Sequence, residues 1–478
     1  MNLSSPRQDK KILNLILQSA NYNKKELYIV GGYLRDMLLG RSKPNPDIDF
    51  CLKNNAISFG RVLAKQMKAG FVVLDKDNGS SRMVKKTKNC IYTFDFTDFR
   101  GKDLKDDLLK RDFTINSFTL GLKDFLRQKN NLSSLVSVPG ALDDLKNKVV
   151  RLISEYTIVD DPLRILRAFS FSCVLGFRIE KKTLKLIKAN KEKITGVSWE
   201  RIRDELFKIL DTPCAYDCLV ELEKLGILGV LFPELSPMRG LKQGPYHHLD
   251  IFKHSLETLR QLELIIKSFS RNKDITDYLD EVISGTRSRR ALLKLGALLH
   301  DIGKPVSLRR FKKRIMFHGH ELTGSRIANA IALKLKLSND EIAILRKMVF
   351  LHLRPGYLAD NRVVSDRAKF RYFRDAGKEG ISVIILSMAD QRSTRGPLTT
   401  DESRVQHERI CSSLIKERLK QLKEKPLVPM LNGNDVMRAL KIEPGPQVGR
   451  ILLHLQELQA IGRIHNRQDA LKAARKLL

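Results

Sequence analysis

A change in hydrophobic pattern near residue 155 does most to constrain the fold of this chain. Before it, short alternating runs typical of strands, such as Asp47–Leu52 and Ile91–Phe96, lie among helical patterns. After it the strand signals stop, and apolar residues recur at helical spacing from residue 160 onward. The sequence therefore predicts an α+β head, with a mixed small sheet and helices, followed by an all-α body.

The length of the chain predicts several domains. At 478 residues it exceeds what one hydrophobic core usually supports. Proline and glycine cluster between Phe232 and Pro245, which indicates a boundary there. We expect four domains, a head, a helical neck, a larger helical domain and a helical tail, at residues 1–150, 151–235, 236–405 and 406–478.

The charge of the chain points to a polyanionic partner. Lys and Arg number 87 against 54 Asp and Glu, a formal net charge of +33. Such a surplus attracts phosphate backbones through counterion release, and it favours nucleic acid over an anionic membrane surface. No stretch is apolar enough to cross a bilayer or to act as a cleaved signal, so we expect a cytoplasmic protein without a membrane partner.

A double glycine follows the first buried strand pattern. Gly31 and Gly32 lie between LYIV and the helical pattern that begins at Tyr33. Without side chains there, backbone N–H groups can approach a triphosphate, and Arg35 follows one turn later as a further nucleotide-binding candidate. An ordinary tight turn is the alternative interpretation.

Paired carboxylates follow a short distance downstream. Asp47 and Asp49 are two residues apart on a predicted strand, so their side chains project from one face, about 7 Å apart along the backbone. Mg²⁺ prefers oxygen ligands, and phosphoryl transfer commonly uses two such ions. The pair alone is weak, but its position beside the double glycine predicts a magnesium site for nucleotide chemistry.

Two longer strings carry a family resemblance. VGGYLRDMLLGRSKPNPDIDF and DDLLKRDFTINSFTL resemble the motifs of class II tRNA nucleotidyltransferases and bacterial poly(A) polymerases. The resemblance implies that Arg111, Asp112 and Asn116 contact the sugar and phosphates of an incoming nucleotide. It also implies a third catalytic carboxylate at Asp95, for which an ordinary strand-edge aspartate is the alternative.

The string DDPLRILRAFSF is predicted to be helical, which would place Asp161 and Arg164 on one helix face. In the family it resembles, this pair reads the Watson–Crick edge of the incoming base in place of a template. A carboxylate accepting from an exocyclic amine beside a donating guanidinium favours C and A. Arg167 joins the nucleotide-binding candidates as a residue that stiffens the region. A surface ion pair is the alternative.

A second metal site is predicted in the helical body. In LLHDIGKP, His300 and Asp301 are adjacent, and both can reach one ion near a helix end. The order of residues resembles the HD phosphohydrolase superfamily, whose other positions are matched by His254, Asp390, His320 and His352. The resemblance implies a divalent transition metal or Mg²⁺ and a phosphatase or cyclic phosphodiesterase activity. A helical scaffold that carries tRNA is the alternative.

The resemblance extends through the tail, and one segment departs from it. Only the short stretch Lys102–Lys110 separates TFDFTDFRG from the RDFTIN motif, where many enzymes that add the whole CCA sequence carry a longer flexible loop. A shortened loop resembles family members that do part of the task, particularly CC-adding enzymes.

The resemblance therefore implies a tRNA 3′-terminal nucleotidyltransferase that adds C and A residues, or C alone, from CTP and ATP without a template. A poly(A) polymerase is the alternative within the family. An HD-type metal-dependent phosphohydrolase with an RNA-binding head is the alternative from another class, and a basic RNA-binding protein without catalysis is a fourth. The oligomeric state stays open.

Overall fold

A computed structural model describes residues 7–88, 90–127, 133–312, 314–361, 363–424 and 427–477. The chain forms two compact units, Met1–Ser198 and Trp199–Leu478. Their boundary falls inside the segment 151–235 that the sequence assigns to a helical neck. The division into four domains stays a prediction.

The first unit is built on a seven-stranded mixed sheet in the order β3-β4-β5-β2-β1-β6-β7. Strands β2 and β5 are parallel, and the other neighbours are antiparallel. The strands are β1 (Tyr28–Val30), β2 (Asp47–Leu52), β3 (Gly70–Asp75), β4 (Ser80–Lys86), β5 (Ile91–Asp98), β6 (Phe118–Gly121) and β7 (Val136–Ser137). A separate pair consists of β8 (Val149–Val150) and β9 (Arg178–Ile179).

Aromatic residues of β2 and β5 pack together on the face of the sheet opposite the carboxylates. Phe50 of β2 stacks on Phe96 of β5 with ring centroids 5.3 Å apart, and both side chains are fully buried. Because side chains alternate along a strand, Asp49 projects to the opposite face from Phe50. The aromatic core thus fixes the register that sets Asp49 level with Asp95.

Nine helices accompany this sheet among the described residues. They are α1 (Arg7–Tyr22), α2 (Gly32–Leu38), α3 (Ala56–Gln66), α4 (Leu104–Leu109), α5 (Leu122–Arg127), α6 (Ala141–Lys146), α7 (Thr157–Asp160), α8 (Arg164–Leu175) and α9 (Lys181–Ala189). Short 3₁₀ turns lie at Thr114–Asn116 and Lys191–Gly196.

The second unit is a helical body. Its helices are α10 (Trp199–Leu210), α11 (Ala215–Lys224), α12 (Ile227–Leu231), α13 (Ile251–Ser268), α14 (Lys273–Asp280), α15 (Arg289–Leu299), α16 (Lys304–Ser307), α17 (His320–Lys334), α18 (Asn339–Leu351), α19 (Arg354–Ala359), α20 (Asp366–Ala376), α21 (Gly380–Ser393), α22 (Asp401–Lys423), α23 (Gly433–Leu440), α24 (Pro446–Ala460) and α25 (Arg467–Arg475). Two 3₁₀ turns, Pro233–Met238 and Gly377–Glu379, complete the connections.

The predicted fold class, a mixed-sheet head followed by a helical body, is confirmed. Two short hairpins interrupt the helices of the body, where the sequence pattern predicts no strand. One pairs β10 (Val282–Ser284) with β11 (Arg287–Ser288), and the other pairs β12 (Arg309–Phe311) with β13 (Arg314–Met316). Strands of two or three residues are too short to show a periodic pattern.

Helix α15 lies at the centre of the body, and its residues are buried on every side. Its Lys294 is 1 % exposed and donates to the Thr212 carbonyl and, at 2.7 Å, to Glu263 of α13. A buried cation of this kind ties three segments together, because each partner satisfies part of its charge or hydrogen-bonding capacity. No helix in the described ranges is both long and apolar enough to cross a membrane.

Candidate functional site

Three carboxylates meet on one face of the head sheet, on the neighbouring inner strands β2 and β5. Asp47 and Asp49 of β2 and Asp95 of β5 each bring an oxygen within 4.8 Å of the other two. Asp47 is exposed, whereas Asp49 and Asp95 are half-buried. Three convergent carboxylates with one open side form a donor set that suits a hard divalent cation such as Mg²⁺.

The crowding of negative charge alters Asp49. Burial, reinforced by the Asp47 and Asp95 carboxylates, raises the pKa of Asp49 to about 6, although Arg111 and Arg167 oppose the rise. Like charges held close together disfavour ionisation unless a cation compensates them. A bound divalent cation would therefore stabilise this site by offsetting the repulsion among its carboxylates.

The backbone at Gly31 approaches these carboxylates closely. Gly31 has φ +74° and ψ −132°, a conformation that essentially only glycine adopts. A Cβ atom placed on it would lie 3.5 Å from both Asp49 Oδ2 and Arg111 Nη1. The strand-to-helix turn predicted from the double glycine thus lies directly beside the carboxylate cluster, with Gly32 beginning α2.

A buried network holds the next group of predicted residues together. Arg35 Nε and Nη2 donate to Asp36 Oδ1 at 2.9 and 2.7 Å, and its Nη1 donates to Asn116 Oδ1 at 2.6 Å. Asn116 in turn donates to Asp112 Oδ1 at 3.1 Å, and Arg167 Nη2 lies 2.7 Å from Asp112 Oδ2. Through these hydrogen bonds the guanidinium of Arg35 connects α2 with the Thr114–Asn116 turn.

The sequence did not single out Arg82, which holds one of the carboxylates in place. Arg82 of β4 lies opposite Asp95 in the sheet and donates to its two oxygens at 2.8 and 2.7 Å. Two parallel hydrogen bonds of this kind fix the plane of a carboxylate. The pairing depends on strand register, which the sequence pattern does not reveal.

The helix predicted across DDPLRILRAFSF begins later than expected, so the prediction that Asp161 and Arg164 share a helix face is wrong. Asp161 has φ −145° and ψ 96°, and α8 begins only at Arg164. The cause is Pro162, whose ring disfavours helical conformation in the residue before it. Asp161 instead accepts from the Leu163 backbone N–H at 3.2 Å.

Arg164 is fixed by the main chain. It is buried and donates to the carbonyls of Thr157 and Lys110, both at 3.0 Å. Lys110 directly precedes the RDFTIN motif. The Arg164 side chain therefore links the start of that motif with the start of α8.

The short connection Phe99–Lys110 is cross-braced, meaning that hydrogen bonds between its own residues and to Arg111 hold it in place. Asp107 accepts from the backbone N–H of Arg100 at 3.1 Å and from Arg111 at 2.8 Å. Asp103 caps α4, and Lys110 Nζ donates back to the Arg100 carbonyl at 2.6 Å. The segment is therefore an ordered turn and helix.

The six predicted HD ligands come together in the helical body. Their ligand atoms form two groups of three, each within 4.8 Å, consisting of His254, His300 and Asp390, and of Asp301, His320 and His352. Asp301 Oδ1 lies 3.4 Å from His320 Nε2, and its Oδ2 lies 3.2 Å from His300 Nε2. One carboxylate thus faces both groups, which is the arrangement of a bridging ligand between two ions.

Backbone carbonyls orient three of the histidines. The Nδ1 atoms of His300, His320 and His352 lie 2.9, 2.8 and 2.7 Å from the carbonyls three residues earlier. A ring that donates Nδ1–H to a carbonyl keeps the lone pair on Nε2. The Nε2 atoms therefore face the carboxylates as metal ligands do.

Lys304 is a further charged group at this centre that the sequence did not single out. Its Nζ lies 2.6 Å from Asp301 Oδ2 and 2.6 Å from Gln243 Oε1. The spacing of three residues from Asp301 in HDIGKP is the signal that could have predicted the contact. Although burial opposes it, the Asp301 and Asp390 carboxylates raise the pKa of His300 to about 10, so a metal ion that binds Nε2 would displace a proton there.

Models of four protein families match successive parts of the chain. A poly(A) polymerase head domain matches residues 27–151, and an HD domain matches residues 251–395. The model of an RNA- and SrmB-binding site of polymerase A matches residues 176–239, and that of tRNA nucleotidyltransferase domain 2 matches residues 398–474.

Curated relatives align with nearly the whole chain. The A-adding tRNA nucleotidyltransferase of Deinococcus radiodurans is 32% identical, and the alignment covers 92% of this chain and 93% of that protein. The CC-adding tRNA nucleotidyltransferase of Thermus thermophilus is 28% identical, with 94% and 93% covered.

Solved structures share the fold. A CCA-adding enzyme in complex with ATP superposes with a TM-score of 0.64 at 20% identity, covering 100% of this chain and 98% of that one. The Thermotoga maritima CCA-adding enzyme in complex with tRNA has a TM-score of 0.61 at 20% identity, with 99% and 96% covered. The head, its carboxylate cluster, the HD centre and an alignment spanning both compact units place this chain in the tRNA nucleotidyltransferase family, whose members are enzymes.

Proposed function

We propose that this enzyme adds nucleotides from CTP or ATP to the 3′ end of tRNA without a nucleic-acid template. The observation that carries the proposal is the convergence of Asp47, Asp49 and Asp95 beside the Gly31 backbone. Relatives over more than nine-tenths of the chain are named for this activity.

The residues of the site fit a family that uses divalent metal, and we propose Mg²⁺ as the ion. Asp47, Asp49 and Asp95 would hold it, and the raised pKa of Asp49 supports a site that gains from a cation. Bound Mg²⁺ would activate the tRNA 3′ hydroxyl and stabilise the pyrophosphate leaving group. Arg82 would keep Asp95 oriented, and Arg111, which points its Nη1 toward Gly31, would receive the triphosphate.

We propose that the neighbouring network binds the nucleotide. At Gly31 and Gly32 the backbone would approach the phosphates, and Asp112 and Asn116 would contact the sugar and phosphates. Arg35 and Arg167 would act by bracing that network, since each is paired with a carboxylate in it.

The base would be read by Asp161 and Arg164. Two of the five N–H donors of Arg164 bind main-chain carbonyls, which fixes the plane of the guanidinium. An oriented guanidinium beside a carboxylate offers donors and an acceptor to the Watson–Crick edges of C and A. Protein side chains would thereby take the place of a template.

We further propose that this enzyme adds C residues and stops before the terminal A. The cross-braced connection Phe99–Lys110 supports this, because hydrogen bonds along it would have to break before the base site could rearrange between C and A. The alternative is addition of A alone, which the 32% identity to an A-adding relative favours.

The specificity is tested with labelled CTP or ATP and three tRNA substrates that end before the CCA sequence, after its second C, or complete. We expect two C residues on the first and no incorporation on the others. Incorporation of a single A into the second substrate would show that the enzyme adds A and not CC. Long A tails on several RNAs would identify a poly(A) polymerase, and no incorporation would refute the main proposal.

A second activity is supported by the HD centre. We propose a metal-dependent phosphohydrolase there, acting on phosphate esters such as nucleotide or RNA ends. Four histidine nitrogens facing two carboxylates suit a transition metal, and Asp301 would bridge two ions. Turnover of 2′,3′-cyclic AMP by the full-length chain with Ni²⁺, Mn²⁺ or Mg²⁺ tests the activity. Loss of turnover in Asp301→Ala is expected, and no turnover by the unmodified chain with any metal would refute it.

We propose the four domains as head, base-reading and RNA-binding neck, HD domain and tRNA-binding tail. The matches of family models to residues 27–151, 176–239, 251–395 and 398–474 support that order. A cytoplasmic location is proposed with it, since the tRNA substrate is found there.

A further inference from the structure

A strongly basic hairpin separates two ligand-bearing elements of the HD centre. Strands β12 and β13 pair Arg309 with Met316, Arg310 with Ile315 and Phe311 with Arg314. Directly opposite residues of an antiparallel pair project to the same face. One face of the basic hairpin, defined as Arg309–Phe311 with Arg314–Met316, therefore carries Phe311 between Arg309 and Arg314.

Four of the six side chains of this hairpin are exposed, and its three arginines carry uncompensated charge. Phe311 is 61% exposed, and Arg309, Arg310 and Arg314 are all exposed. Among the described residues, none of these three arginines forms an ion pair with a carboxylate. A single exposed aromatic ring is common in proteins. Here the ring lies among unpaired arginines and 5.4 Å from Lys312 Nζ, so the same surface offers both a stacking face and positive charge.

The hairpin is anchored at the metal centre on both of its legs. The strand β12 leaves α16, which begins at Lys304, whose Nζ lies 2.6 Å from Asp301. The strand β13 leads through Phe317, whose carbonyl lies 2.8 Å from His320 Nδ1 and whose ring lies 5.7 Å from Lys304 Nζ. The three residues of each strand extend about 10 Å at the usual rise per residue of a strand. That length corresponds to one or two nucleotides of RNA beyond the predicted metal-ligand residues.

We propose that the basic hairpin binds single-stranded RNA and presents its 3′ end to the HD centre. The substrate class of that centre is then an oligonucleotide with a terminal or 2′,3′-cyclic phosphate, in preference to a free nucleotide. Unstacked bases stack on exposed aromatic rings, and arginines on either side neutralise the flanking phosphates. The statement about turnover rests on the proposed phosphohydrolase activity, whereas the RNA-binding surface does not.

The kinetic test compares two substrates of the full-length chain, 2′,3′-cyclic AMP and a five-nucleotide RNA ending in a 2′,3′-cyclic phosphate. We expect a KM about tenfold lower for the RNA, the size of one stacked base with its phosphate contacts. The variants Phe311→Ala and Arg309→Gln/Arg310→Gln/Arg314→Gln are expected to raise the KM for the RNA about tenfold and to leave that for cyclic AMP unchanged. Equal KM values for both substrates in the unmodified chain would overturn the proposal.

A matched control removes three exposed cations from the same compact unit at the far end of α13 from His254. The variant Lys267→Gln/Arg271→Gln/Lys273→Gln makes the same change in net charge, and these side chains are exposed. We expect its KM for the RNA to stay within twofold of the unmodified value. A rise as large as that of the hairpin variant would mean that overall charge, and no specific surface, binds the RNA.

A second readout separates this proposal from the phosphohydrolase activity. The same RNA with a 4-thiouridine near its 3′ end is irradiated with the full-length chain, and the crosslinked peptide is identified by mass spectrometry. Crosslinks within residues 309–316 that disappear in Phe311→Ala are expected, even if no metal supports turnover. Turnover failure with these crosslinks present would refute only the activity, whereas their absence would overturn the hairpin as the RNA-binding surface.

Discussion

At the scale of single residues, Asp49 connects a sequence prediction with an electrostatic effect, since burial and the neighbouring carboxylates raise its pKa to about 6. The motif predicted its pairing with Asp47, and the parallel register of β2 and β5 adds Asp95. The three side chains repel one another in the absence of a cation. The stability of the head therefore depends on pH and on divalent metal through these three side chains.

The pH dependence of stability follows from the raised pKa of Asp49. The folded protein holds the Asp49 proton more tightly than the unfolded chain does, so the metal-free protein loses stability as pH rises from 3.8 to about 6. Asp49→Asn removes that loss. In EDTA we expect the variant to have a higher Tm than the unmodified protein at pH 7.5, and little difference at pH 4.

The measurement is a thermal denaturation series across this pH range, repeated with Mg²⁺. Added Mg²⁺ is expected to raise the Tm of the unmodified protein more than that of Asp49→Asn, because only the former has a complete carboxylate cluster. A Tm difference that is constant from pH 4 to 7.5 would contradict the electrostatic explanation.

Gly31 provides a second prediction, since its conformation is accessible only to glycine. A Cβ there would meet its neighbours at ordinary contact distance, so the cost of Gly31→Ala is backbone strain of about 1–3 kcal/mol at the turn. We expect a folded variant whose KM for CTP or ATP rises at least tenfold. Gly196→Ala, where a Cβ meets open space, is the control and is expected to behave as the unmodified enzyme. Unchanged KM in Gly31→Ala would remove the turn from the nucleotide site.

Some residue positions were beyond prediction from the sequence. Asp47 and Gly31 stand out through spacing within short strings, and the six HD ligands stand out through an order of residues that resembles a known superfamily. Arg82 does not, since its bond to Asp95 arises from the pairing of β4 with β5 and no local spacing encodes it. Contacts between distant segments require the register of the fold.

At the scale of elements, the sequence predicted β2 and β5 well because their apolar residues alternate. Strand β4, SSRMVKK, was missed, since its polar and basic residues give it a weak alternation even though Met83 is buried. Pro162 displaced the start of α8, and a proline at that position should have limited the predicted helix.

Helix α15 allows an element-scale prediction, because its buried Lys294 holds Glu263 and the Thr212 carbonyl. Lys294→Met leaves a carboxylate without its cation and a carbonyl without its donor, which should lower the free energy of unfolding by about 3 kcal/mol. The second variant, Lys294→Met with Glu263→Gln, removes the stranded charge and should recover part of the loss. Denaturant unfolding measures both. An equally unstable double variant would contradict the role given to the ion pair.

At the scale of the whole molecule, the net charge of +33 predicts how tRNA binding responds to salt. Each phosphate neutralised by Lys or Arg releases counterions, so affinity falls linearly on logarithmic axes. We expect the Kd for tRNA to rise at least tenfold between 50 and 200 mM KCl, as measured by filter binding. A Kd that is independent of salt would show that the basic surface does not carry the binding.

Among the residues that the structure describes, each compact unit contains a carboxylate-based centre built from residues of that unit alone. Changes at the HD ligands are accordingly expected to leave nucleotide addition intact. The proposed site of nucleotide transfer lies in the head, where three carboxylates meet a glycine turn.

The most direct test measures incorporation of labelled CMP into tRNA that lacks its three terminal nucleotides, by the unmodified chain and by Asp47→Asn/Asp49→Asn. We predict defined incorporation by the former and a fall of at least a thousandfold in the latter, since the ligands of the metal that assists phosphoryl transfer are removed. The Kd for tRNA should stay within about threefold, because the basic surface remains. Incorporation at an undiminished rate by the double variant would contradict the account.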